Sequence, residues 1–114
     1  AVVPVSQLAT TAITLAEQMQ GRLARLNAAK SESQFRLALQ NIQVTVLRFS
    51  RLNILPYDEN AEAIYLNLKP LRSKVGTQDL RIASICLSKN ATLVTRNYRH
   101  FGLVPQLLVE DWSH

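Results

Sequence analysis

The run Val75-Gly76-Thr77-Gln78-Asp79-Leu80-Arg81-Ile82-Ala83, followed closely by Ala91-Thr92-Leu93-Val94-Thr95-Arg96-Asn97, limits what this chain can become more than any other stretch. The first piece joins a glycine turn, a capping hydroxyl and an acid to the start of an apolar helix. The second is β-rich and ends in a polar tip. A helix feeding directly into a strand belongs to a parallel sheet covered by helices, and such folds place their chemistry at strand ends and helix starts. Local structure alone therefore aims one acid, Asp79, and one amide, Asn97, at a common pocket.

The rest of the chain repeats the alternation. Ala9 to Thr14 is rich in β-branched residues and reads as a short strand. Thr14-Leu15-Ala16-Glu17 fits a capping box, predicting a helix to about Ala29 with Leu15, Met19, Leu23 and Leu26 on its apolar face. Ser31 offers a second cap, and the helix behind it carries Phe35, Leu39, Ile42, Val46 and Phe49 on one stripe. Two such helices form a hairpin that cannot bury both faces alone. Leu52 to Tyr57 reads as a second strand, with Pro56 near its end, where a missing amide donor does little harm. Asp58 caps a helix carrying Ala61, Ile64, Tyr65 and Leu68, which stops at Pro70. Thr77 is expected to cap the next helix, which runs to about Lys89 and turns Leu80, Ala83, Ile85, Cys86 and Leu87 inward, with Asn90 as a left-handed stop. Ala91 to Thr95 is a strand, Arg96 to Gln106 a loop, and Leu107 to Val109 a last short strand.

Composition removes several classes. At 114 residues the chain is expected to be a single domain, residues 1–114, with 47% hydrophobic and 18% charged residues, the balance of a globular protein. No apolar run approaches the ~20 residues of a membrane span, no signal-peptide pattern is present, and the chain starts at Ala1. One cysteine, Cys86, makes no internal disulfide and fits a reducing, cytoplasmic setting. One cysteine and two histidines, His100 and His114, do not make a zinc site. Three glycines, Gly21, Gly76 and Gly102, leave no glycine-rich dinucleotide or Walker loop. A net charge of +5 suits a polyanionic partner, and Arg96 and Arg99 lie beside the polar tip, which favours a nucleic-acid backbone over a membrane surface.

At these residues the chain resembles the PIN-domain ribonucleases of the VapC toxin type. The segments that carry the likeness are the helix start at Glu17, Ile54-Leu55-Pro56-Tyr57-Asp58, Gly76-Thr77-Gln78-Asp79-Leu80-Arg81-Ile82-Ala83, Leu93-Val94-Thr95-Arg96-Asn97, and Val104 through Trp112. Each is a weak pattern; their order and spacing together are specific. The resemblance implies a three-layer α/β/α sandwich around a parallel sheet, several carboxylates at the strand ends, Mg2+ or Mn2+ bound there, and cleavage of RNA. Hard divalent cations prefer oxygen ligands, and a bound metal lowers the pKa of water and stabilises charge on the phosphoryl group.

Carried over residue by residue, the resemblance makes Glu17, Asp79 and Asn97 the catalytic and metal-binding set, and Arg96 and Arg99 the RNA contacts. Most relatives have another acid where this chain has His100, ahead of Phe101. A histidine can bind metal or phosphate but does not replace the charge. The family's opening strand, ending in an aspartate, has no counterpart in residues 1 to 10, so the chain reads as a PIN-like domain truncated at its amino end. Two functions follow from the likeness: a metal-dependent endoribonuclease toxin, restrained by a cognate antitoxin and dimeric, or a non-catalytic remnant that binds RNA or a partner protein.

Overall fold

The computed structural model describes residues 9–95 and 98–111. The chain falls into two compact units, Ala1–Ile54 and Leu55–His114.

In the first unit, strand β1 (Ala9–Thr11) runs straight into α1 (Ala12–Asn27), and α2 (Glu32–Ser50) returns alongside it. The helix starts three residues earlier than the capping-box reading allowed. Thr11, extended at φ −110° and ψ 157°, is the N-cap, and its hydroxyl accepts the Thr14 amide at 3.1 Å. Two threonines competed for one role, and the one with extended backbone took it. Ser31 caps α2 as expected, accepting from the Gln34 amide, while Gln34 Oε1 reaches back to accept from the Lys30 amide at 2.8 Å.

The hairpin keeps Ile42 and Phe49 of the α2 stripe that the sequence suggested, but not Phe35, Leu39 or Val46. Ala38, Thr45 and Phe49 are the buried residues of α2, with Ile42 half-buried between them, a spacing of four, three and four that keeps one face. Phe35 (43% exposed), Leu39 (44%) and Val46 (52%) point away. Small side chains at 38 and 45 let a helix approach closely, so the seam follows them and not the bulkiest residues. On α1, Arg22 is half-buried and Leu23 exposed, the reverse of what hydrophobicity alone predicts.

Strand β2 (Asn53–Leu55) pairs with β1 in a two-stranded sheet and ends where the second unit begins. Asp58 then caps α3 (Glu59–Leu68): Oδ1 accepts the Ala61 amide at 3.0 Å, and Oδ2 is paired with Lys89 Nζ at 3.0 Å. Those two contacts hold the Asp58 carboxyl below its ordinary pKa, the amide contributing more than the lysine. Pro70 lies inside a 3-10 turn, Lys69–Leu71, that leads into the short α4 (Arg72–Val75).

Helix α5 (Thr77–Ser88) is the centre of the second unit. Leu80, Ile82, Ala83, Ser84, Ile85 and Cys86 are all buried, so the helix is covered on more than one face and packs extensively on α3. Ser84, not foreseen as a core residue, is accommodated because its hydroxyl donates to the Leu80 carbonyl at 2.7 Å. Its end is a left-handed stop: Asn90 has φ 53°, and the Ala91 amide donates to the Cys86 carbonyl at 2.9 Å. That hydrogen bond keeps Ala91 in the helix terminus, so β3 is Leu93–Thr95 and shorter than predicted. A short α6 (Tyr98–Phe101) occupies part of the expected loop, burying Phe101, with Val104 buried just after it. β4 is Val109–Asp111, two residues later than expected, because Gln106 turns at φ 66° and Leu93 pairs with Val109. β3 and β4 run parallel, as the alternation of strands and helices required.

Candidate active site

Asp79 is set by the turn before it. Gly76 is the N-cap of α5 at φ 94° and ψ 146°, a backbone conformation that side chains with a Cβ rarely adopt. Thr77 is therefore the first helical residue and not the cap, and Asp79 sits two positions on, inside the first turn. The helix dipole favours a carboxylate there. The side chain is half-buried, and loss of water raises its pKa; the charge of His100 pulls it partly back. Its basic neighbour Arg81 is engaged elsewhere, donating to Gln78 Oε1 at 2.8 Å and lying 4.7 Å from the Tyr65 ring centroid. Asp79 thus has no hydrogen bond or ion pair to another described residue, which is costly for a partly desolvated carboxylate and typical of one kept for a ligand.

Glu17 lies on α1, exposed, in the second helical turn. With Thr11 as the cap, Glu17 is too far along to close a capping box, and the first turn of α1 contains no acid. The structural explanation for this residue is removed. Glu17 instead lines a cleft of about 170 Å³ together with Gln18, Gly21, Arg22 and Arg25. Arg22 and Arg25 are not among the candidates that the sequence suggested. The signal was the step of four from Glu17 through Gly21 to Arg25, with Arg22 three residues before Arg25 on the neighbouring row of α1.

Asn97 and Arg96 lie outside the described residues. Arg99 is exposed on α6, as an RNA contact would need, and His100 is exposed beside it. The structure brings together Asp79 with His100 in one unit, and Glu17 with Arg22 and Arg25 in the other. Among the described residues, no group of three or more His, Cys, Asp and Glu side chains is close enough to hold a metal. The donors available at the predicted positions are oxygens, which suits a hard divalent cation and not zinc. No helix of the described residues is long and apolar enough to cross a membrane.

Comparison with known proteins places the chain in a family. The PIN domain family matches residues 2–105. Ribonuclease VapC2 of Rickettsia felis is 31% identical over 110 residues, covering 93% of this chain and 75% of the relative. The tRNA(fMet)-specific endonuclease VapC of Salmonella typhimurium is 32% identical over 111 residues, covering 94% and 76%. Among solved structures, VapBC-1 from nontypeable Haemophilus influenzae superimposes with a TM-score of 0.74 at 26% identity, over 99% of this chain and 80% of that one. VapBC2 from Rickettsia felis, bound to a DNA fragment from its promoter, gives a TM-score of 0.65 at 32% identity, over 91% and 74%.

Proposed function

Because this chain belongs to the PIN-domain family and is of the VapC type, we propose that it is a divalent-metal-dependent endoribonuclease, the toxin of a toxin–antitoxin pair. The observation that carries the reading is Asp79: a half-buried acid beside His100, without a hydrogen bond among the described residues and fixed in a first helical turn by Gly76, in a chain matched by the PIN domain along most of its length. VapC ribonucleases as a class depend on a divalent metal; in this chain Asp79 is the acid we propose for contact with Mg2+ or Mn2+, with Glu17 and Asn97 as the further candidates that the family resemblance names. When bound, the metal supplies an acidified water and a positive charge for the phosphodiester under attack.

The chain's own residues do the rest. Asp79 gains from a cation what it lost on leaving water, so ligand binding relieves the burial that raises its pKa. His100 adds an imidazole where an acid would add charge, which leaves the site with less negative charge than a fully acidic one. Arg96 and Arg99 are placed in sequence to contact RNA backbone, and Arg99 is exposed for it.

A cognate antitoxin and a second copy of the chain are the proposed protein partners. The solved relatives are toxin–antitoxin complexes, and the α1–α2 hairpin leaves Leu37, Val44 and Leu47 more than half exposed. The proposed location is the cytoplasm, in keeping with one reduced, buried cysteine. The test is calorimetric titration of the purified 114-residue chain with Mn2+, beside cleavage of a bacterial tRNA pool. Heat of binding and cleavage, both lost in Asp79→Ala, are expected. Absence of both in the unaltered chain rejects the catalytic reading and leaves a non-catalytic RNA- or protein-binding domain.

A further inference from the structure

We infer that the α1 cleft beside Glu17 is a binding site for an RNA phosphodiester, with Arg22 as a preset anion-binding fork and Arg25 as its second cation. This inference rests on the endoribonuclease reading and adds a substrate contact to it.

Arg22 is held in place. Its Nε donates to Thr45 Oγ1 at 3.3 Å across the helical seam. Thr45 is fully buried, and its own hydroxyl proton is committed to the Asn41 carbonyl at 2.7 Å, so toward Arg22 it acts only as an acceptor. The guanidinium is therefore anchored at one nitrogen, and its terminal NH2 groups have no partner among the described residues. A planar fork whose side chain is already ordered loses less freedom on binding, and it matches two oxygens of one phosphate.

The surroundings suit the same ligand. Arg25, one helical turn further along the same cleft, has no ion-pair or hydrogen-bond partner among the described residues. Glu17 lines the cleft without an ion pair to either arginine, so two positive charges face one negative charge and the cleft keeps a net charge of +1. Gly21 adds room: a Cβ built there meets nothing within 4 Å. The cleft, about 170 Å³, is below the ~300–1,000 Å³ of pockets for drug-sized ligands and is mixed in polarity, which fits a phosphodiester better than an apolar ligand. An RNA strand gripped here would run past Glu17, one of the residues proposed to act on it.

The experiment measures binding of a fluorescein-labelled bacterial tRNA pool by anisotropy, in EDTA so that no cleavage intervenes, across a range of salt. Arg22→Met and Arg25→Met should each weaken binding about four- to sixfold at 0.15 M salt, since each phosphate contact contributes ~0.7–0.9 to the slope of log K against log salt. Each should also lower that slope by about one contact. Arg36→Met, which removes the same charge from an exposed α2 position outside the cleft, should change binding less. Thr45→Val keeps every charge but frees the Arg22 fork, so it should weaken binding while leaving the slope unchanged. Thermal melts of each variant confirm folding.

The inference is overturned if Arg22→Met and Arg25→Met bind RNA as the unaltered chain does, including when they lose a protein partner instead. It is equally overturned if Arg36→Met is as harmful as they are, since net charge alone would then explain binding. Unchanged binding by the variants beside active cleavage by the unaltered chain removes this site and leaves the ribonuclease reading standing. An unaltered chain that neither binds nor cuts RNA removes both.

Discussion

Two glycines provide a test of how this chain positions Asp79. Gly76 and Gly21 are alike in one respect: a Cβ added at either meets nothing within 4 Å. They differ in backbone. Gly76 has φ 94° and ψ 146°, next to the region reserved for glycine, whereas Gly21 is an interior residue of α1. Alanine at 76 should incur backbone strain of ~1–3 kcal/mol, partly offset by ~0.4–1 kcal/mol from the stiffer unfolded chain. The net expectation is a loss of about 1–2 kcal/mol. Alanine at 21 meets no strain and should gain ~0.4–1 kcal/mol from the same entropy and from helix propensity. Contact with surrounding residues cannot produce the difference, because neither position is crowded; local backbone strain at Gly76 does. Urea denaturation followed by far-ultraviolet circular dichroism should show the two midpoints moving in opposite directions. The positions lie in different compact units, so if the units unfold separately each variant should move only its own transition. Gly76→Ala should also lower RNA cleavage more than Gly21→Ala, because the turn it distorts aims Asp79. The reasoning fails if Gly76→Ala is as stable as the unaltered chain, or if Gly21→Ala destabilises.

Asp79→Asn should abolish RNA cleavage yet change stability at neutral pH by less than ~1 kcal/mol, the size of the opposing helix-dipole contribution. Because the folded protein raises the pKa of Asp79 above its ordinary 3.8, the stability it contributes is complete below that value and is lost as pH rises through the higher folded one. The unaltered chain should therefore lose stability relative to Asp79→Asn on going from pH 3 to neutrality, measured by thermal melts; the opposite trend would contradict burial as the cause. Cys86 is buried and its thiol is pushed up to about 11 by loss of solvent, so it should resist iodoacetamide at pH 8 in the folded chain and react promptly in urea, as read by mass spectrometry. Asp58 shows the reverse linkage: its lowered pKa stabilises the fold above about 3.8 and the benefit disappears as acid protonates it, so Asp58→Ala should be less stable at pH 7 and show a flatter acid limb. Leu80→Ala, at a fully buried position near the start of α5, should cost ~2–5 kcal/mol in urea denaturation, against less than ~1 kcal/mol for exposed Leu66→Ala.

What the sequence revealed and what it hid divide along a physical line. Ser31, Asp58 and Asn90 were legible because a cap or a left-handed stop is decided by a few adjacent atoms, and those atoms are adjacent in sequence as well. The position of Asp79 in the first turn of α5 was legible for the same reason, since glycine, first turn and acid form one local unit. Thr11 was missed because Thr14 offered the same hydroxyl with a glutamate behind it; only the extended backbone at residue 11 separates them, and nothing in the letters encodes it. Helix phase was harder still. On α1, Leu15, Met19 and Leu26 are half-buried as expected, but Arg22 takes the place in that row that hydrophobicity gives to Leu23. The structure favours the arginine because Thr45, twenty-three positions away in the chain, supplies its Nε with an acceptor, and because its methylene stem can pack while its charged end reaches the cleft. That pairing exists only once two helices meet. The same step that hid the packing therefore hid Arg22 and Arg25 as candidates for the site, and Glu17 lost its capping explanation only when the true cap was seen.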